Sequence, residues 1–124
     1  MASLDLCIKG TFDIAVARNR LRRTADANHW PPIMRARISA AMTTLAEIVM
    51  YKGRSQPEQV MLKVMVINNG VQQGLEFQCL APFKSDISQH YAVAHWQLER
   101  ACDDLIIENQ GAEEDLITMR VLAR

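Results

Sequence analysis

The chain has 124 residues, enough to bury one sizeable core in a single domain spanning 1–124 without disulfide or metal staples. Hydrophobic residues make up 49% and charged residues 23%, a balance that argues against disorder. Lys plus Arg and Asp plus Glu both number 14, so the net charge is zero and nothing in it calls for nucleic acid or an acidic membrane as partner.

Along the chain, MASLDLCIKG has no basic n-region and no long apolar run, so no signal peptide is expected. Leu4, Leu6 and Ile8 alternate with Asp5 and Cys7, the pattern of a short strand. Gly10 breaks it, and Thr11 or Asp13 is placed to cap a helix. Ile14, Ala17, Leu21 and Ala25 recur at helical spacing, with Arg18, Arg20, Arg22 and Arg23 on the solvated side. Trp30-Pro31-Pro32 ends that helix and starts the next, because proline tolerates a helix's first turn. Ile38, Ala41, Met42, Leu45, Ile48, Val49 and Lys52 predict one stripe on a helix that stops at Gly53. GRSQPE, residues 53–58, is a polar loop.

VMLKVMVI (60–67) and VQQGLEFQC (71–79) read as strands joined by Asn68-Asn69-Gly70, which predicts a type I′ turn. Val71, Leu75, Phe77 and Cys79 supply one face of the second strand, and Pro82 ends it. A helix is predicted from Ser85 to about Cys102, with Val93, Trp96, Leu98 and Ala101 as apolar contacts. LIIEN (105–109) and DLITMRVLA (115–123) read as a closing hairpin. The expected fold is therefore α+β: a two-layer sandwich with one mixed sheet of about five strands and helices on one face.

Little catalytic chemistry is legible. Cys7, Cys79 and Cys102 are odd in number, lack C-x-x-C spacing and lie in apolar settings, which predicts three buried, reduced thiols. No segment approaches the ~20 apolar residues of a membrane span, so a cytoplasmic location is expected. The glycines form neither GxGxxG nor GxxxxGK, and His29, His90 and His95 match no zinc spacing, so no metal site is expected. Asp103-Asp104 and Glu113-Glu114-Asp115 lie at element ends, where they keep edges soluble. Thr43 and Glu47 sit one turn apart on the second helix, and a carboxylate there suits magnesium. The plainer reading is an exposed helix face.

DIAVARNRLRRTADANHWPPIMRARISAAMTTLAEIVMYKG, residues 13–53, resembles the first half of the anti-sigma-factor serine kinases. These are small members of the histidine-kinase-like (GHKL, Bergerat-fold) ATPases. VQQGLEFQCLAPF resembles the strand before their D-x-G-x-G turn, and residues 96–124 resemble their ending. In that family one helix carries a glutamate base and, four residues later, an asparagine that holds magnesium. The matching positions here are Thr43 and Glu47. The adenine-reading aspartate falls at about Ala81, the glycines after it at Pro82-Phe83, and the glycine-rich lid within 87–93, which has no glycine.

The resemblance thus implies a degenerate relative, with Thr43, Glu47, Ala81 and Phe83 as a nucleotide-site remnant. ATP and magnesium, the cofactors of the family, are not expected. The implied function is regulation by protein contact with a sigma factor, a STAS-domain antagonist or a second copy. Arg18, Arg22, Phe83, His90 and Tyr91 are the candidate contact residues. Phe83 and Tyr91 are of the aromatic kind enriched at interface centres, or else they fold over the vacated pocket and fill it. The alternative is a divergent ATP-binding serine kinase using Glu47 at the metal. A third reading is an unrelated small α/β domain.

Overall fold

The computed structural model describes residues 3–52, 57–83, 91–111 and 114–123. The strands are β1 (Ser3–Ile8), β2 (Val60–Asn68), β3 (Gln73–Ala81), β4 (Asp104–Gly111) and β5 (Glu114–Leu122). The helices are α1 (Thr11–Ala27), α2 (Pro32–Glu47) and α3 (Tyr91–Ala101); α2 runs on into a π-helical turn at Ile48–Lys52. This is the element order read from the sequence.

The five strands form one sheet in the order β1-β2-β3-β5-β4, and all four pairings are antiparallel. The sequence reading has a mixed sheet. The crossover through α3 does leave β4 running parallel to β3. However, β5 folds back as a hairpin and inserts between them, so the two parallel strands never pair.

Alternation sorts the strands into two faces. Leu4, Val64, Phe77, Met119 and Leu105 are cross-strand neighbours in one row on the inner face. Leu6, Leu62, Leu75, Ile117 and Val121 share that face and are buried. The other face carries Asp5, Lys63, Gln78 and Thr118 in a row, and an ion pair from Arg120 Nε to Glu76 Oε1 at 2.8 Å. α2 packs against both α1 and α3 over the inner face, and its Met34, Ile38, Ala41, Met42, Leu45 and Ala46 are buried. α1 buries Ile14, Ala17, Leu21 and Ala25, the predicted stripe.

Several local expectations are corrected. Gly10, not Thr11 or Asp13, is the N-cap of α1; Asp13 Oδ2 instead accepts from the Lys9 amide at 2.8 Å. The turn after β2 is not type I′, since Gly70 (φ 83) is its only residue with positive φ. Asn69 Oδ1 accepts from the amides of Val71 and Gln72, so the Asn side chain replaces a backbone turn and pushes Val71 out to 92% exposure. Lys52 leaves the predicted stripe because the π-helical turn shifts the phase of the helix, and Met50 is buried instead. On α3 the buried residues are Ala94 and Leu98, while Val93 and Trp96 are 59% and 57% exposed.

Two acidic residues do more than keep edges soluble. Asp103 Oδ2 accepts from Arg37 Nη2 at 2.5 Å and from the Leu122 amide at 2.7 Å, while Arg37 Nη1 donates to the Leu122 carbonyl. This network ties α2 to the end of β5. Asp115 is 3% exposed on the inner face and accepts from Asn109 Nδ2.

The cysteines also divide. Cys7 is exposed on the outer face, contrary to the expectation of three buried thiols, because it is out of phase with Leu6 and Ile8. Burial pushes the Cys79 thiol up to about 12 from an ordinary 9.0. Burial, then Asp103, Asp104 and Glu99, pushes Cys102 up to about 11. A thiol-specific reagent is therefore expected to modify Cys7 in the folded protein and Cys79 only after unfolding. A raised folded-state pKa adds stability that is complete below the unfolded value and is lost as pH rises toward the folded one. The urea midpoint should fall as pH rises from about 9 toward about 12, and fall less in Cys79→Ala. Equal falls in both proteins would show that Cys79 does not contribute.

Candidate functional site

α1 and α2 cross so that Arg18, Asn19 and Arg22 face Arg35 and Ser39 across a hollow of about 340 Å³. The apolar stripe of α1 forces this, since residues 18 and 22 lie beside Leu21 on the flank turned toward α2. Arg18 Nε donates to Thr43 Oγ1 at 2.9 Å, and Arg22 Nη2 donates to Asn19 Oδ1 at 2.7 Å. Arg35 pairs with Asp26 at 2.8 Å. Each guanidinium has five N–H donors, and these contacts use few of them. The hollow is therefore suited to carboxylates or other anions. Among the described residues that line it, Ser39 carries the one hydroxyl, and no His, Cys, Lys, Asp or Glu side chain is present to act as a base.

The Thr43–Glu47 pair is split between neighbours. Thr43 faces α1 through Arg18. Glu47 is exposed and lines a second hollow, between α2 and α3, with Thr44, Trp96, Gln97 and Arg100. There the Arg100 guanidinium lies 4.9 Å from the centroid of the Trp96 ring.

At the end of β3, Ala81 is buried and lines an apolar cavity with Ile48 and Val49. Phe83 is 2% exposed and meets Tyr91 edge-on, with centroids 5.6 Å apart at 65°. Tyr91 is half-buried, and its ring lies 5.6 Å from that of His95. His90 falls outside the described residues, as do residues 87–90 of the 87–93 segment matched to the lid.

The structure thus brings Arg18, Arg22 and Thr43 together, and Ala81 near Phe83 and Tyr91, but it sets Glu47 apart from Thr43. The sequence reading missed Arg35, which reaches the hollow only through the crossing of α1 and α2. It also missed the Trp96–Arg100 pair, whose one-turn spacing was a visible local signal. Among the described residues, no group of three or more His, Cys, Asp or Glu side chains is arranged to hold a metal ion, and no helix is long and apolar enough to cross a membrane.

No protein-family model matches the sequence, and no curated protein matches it. Solved structures do. The structure of the RsbU and RsbW domains of Rv1364c from Mycobacterium tuberculosis aligns over 100% of this chain with a TM-score of 0.64 and 12% identity. A chain of the SiaB–SiaC complex from Pseudomonas aeruginosa aligns over 98% of this chain and 89% of its own length, with a TM-score of 0.64 and 10% identity. The chain shares the fold of these structures, which supports the fold implied by its resemblance to the anti-sigma-factor serine kinases. This chain spans a third (33%) of the mycobacterial protein it matches. At such identities the likeness concerns the fold.

Proposed function

We propose that this chain is a regulatory protein–protein interaction module that works in the bacterial cytoplasm without nucleotide. The observation that carries this reading is the end of β3. Where the resembled family has a flexible glycine turn that approaches phosphate, this chain has Pro82 and the buried Phe83, packed edge-on against Tyr91. Phosphoryl transfer depends on positioned phosphates and charge stabilisation; Thr43, at the position of the family's base, cannot act as one, and Glu47 offers a single exposed carboxylate. The fold likeness to a protein solved as a complex with its partner is a second support.

The contact surface we assign is the hollow of Arg18, Arg22 and Arg35. Its partner is an acidic segment of a protein of the sigma-factor or STAS-domain-antagonist kind, or a second copy of this chain. The alternative is a divergent ATP-binding serine kinase. It is favoured by Glu47 facing Arg100 and Trp96 across an open hollow, where a cation and a ring are both at hand.

Calorimetry with ATP at millimolar concentration, with and without magnesium, decides between the two. No heat of binding is expected. Saturable binding would promote the kinase reading; a ligand at 100 times its dissociation constant would also add about 2.7 kcal/mol to stability. Arg22→Glu is expected to weaken capture of an acidic partner or self-association by about tenfold, about 1.4 kcal/mol, with the fold intact. Unchanged mass in solution and unchanged capture would remove the hollow as the contact surface.

A further inference from the structure

A cavity of about 230 Å³ lies where β2 begins and β3 ends. Ile48 and Val49 of the π-helical turn, Val60 and Met61 of β2, and Cys79 and Ala81 of β3 form most of its wall. All of these except Met61 are buried and, with Phe83, form its floor, while Gln59, Met61, Leu80 and Pro82 are exposed and form its mouth, so the cavity opens to solvent over an apolar floor that reaches the core. Among the described residues no charged side chain lines it, and the Gln59 amide and the Cys79 thiol are its polar side-chain groups. Water has few partners in such a space, and an apolar void leaves its lining short of contacts.

The wall has a second feature. α2 would continue as an ordinary helix through residue 52, but at Ile48–Lys52 its hydrogen bonding widens to the π pattern. Such turns insert one extra residue and are frequent at functional sites. Here the widened turn presents Ile48 and Val49, both branched, to the cavity.

We propose that this cavity is a binding site for a small uncharged apolar molecule, aromatic or branched aliphatic, of about the size of a two-ring system. The size follows from volume, since an apolar cavity of about 150 Å³ accepts benzene and this one is larger. The chemistry follows from the lining. A purine such as adenine has three ring nitrogen acceptors and an amino group, and beyond the Gln59 amide at the mouth and the weakly bonding Cys79 thiol the lining side chains offer them no partner, so the wall favours a less polar ring. The proposal does not rest on the hollow of Arg18, Arg22 and Arg35; it does share Ala81 and Phe83 with the nucleotide-site remnant, which is why adenine is the comparison ligand.

The test is a titration with indole, followed by the methyl resonances of Ile, Val and Leu. Saturable shifts are expected at Ile48, Val49 and Val60, and none at Leu21 on the buried face of α1. Adenine at the same concentration should leave all of them in place. Ala81→Phe, which fills the cavity, should weaken indole binding by at least about tenfold. If that variant does not fold, the wild-type methyl map decides alone. The proposal is overturned if indole near its solubility limit moves none of the three methyl groups. It is overturned equally if the shifts scatter over surface residues, or if adenine moves the same methyls as well as indole does.

Discussion

Replacing Gly74 with Ala is expected to destabilise the protein by about 3 kcal/mol or more, the upper end of what overpacking costs. The reason is backbone, not side chain. A Cβ built on Gly74 would lie 2.1 Å from the Val121 carbonyl oxygen and 2.9 Å from the Leu122 Cα. Both atoms belong to β5, the direct neighbour of β3, and Gly74 is paired with Leu122. Neither can turn aside as a flexible side chain would, so the pairing must open or the strands must shift. Gly10→Ala is the control. Its Cβ would meet nothing within 4 Å, and its φ of −179 is ordinary extended backbone. As an N-cap change it should cost about 1 kcal/mol or less. Urea unfolding of the two variants measures the contrast. Similar midpoints would mean that β3 and β5 do not approach as closely as the register requires.

Leu45→Ala should cost about 2–5 kcal/mol. Leu45 has 0% exposure and sits on the α2 face that covers the sheet, near Met42 and Ala46, which are as fully buried. Truncation removes transferred apolar surface and leaves a hole that the surrounding helix and strands close only in part. A loss under about 1 kcal/mol in chemical denaturation would place this face of α2 away from the core.

Much of this core was legible because it obeys a period. The 3- and 4-residue steps of α1 and the alternation of β1 and β3 named Ile14, Ala17, Leu21, Leu6, Ile8, Phe77 and Cys79 correctly as inward-facing. Period failed where the chain departs from it. The π-helical turn shifted the phase after Glu47, so Lys52 was read as inward and Met50 was not. Trp96 and Val93 are apolar yet outward, because hydrophobicity alone does not say which side of a short helix faces the sheet.

The candidate site was less legible than the fold. Arg18 and Arg22 announced themselves by their spacing, but Arg35 joins them only after two helices have crossed. The Asp103–Arg37 network was invisible for the same reason, since its partners are 66 residues apart in the chain. The resemblance located Ala81 and Phe83 at the end of β3, but whether Phe83 faces solvent or core depends on Tyr91, which arrives from another element. Local pattern fixes which residues are paired along a helix. Contacts between elements decide what those residues then meet.

The strictly antiparallel order of the sheet leaves β1 and β4 with one strand neighbour each among the described residues. An unpaired strand edge is a template on which other chains can build, and proteins protect such edges with charge or irregularity. β4 has both kinds of protection. Asp104 and Glu108 punctuate it, and its register with β5 slips between Asn109 and Gly111, where the backbone reaches φ 95. β1 has a regular six-residue register and a single charge, Asp5, among Ser3–Ile8. Resistance to edge-on self-association is therefore unequal at the two ends of the sheet. The less guarded border is the one formed by the first strand of the chain.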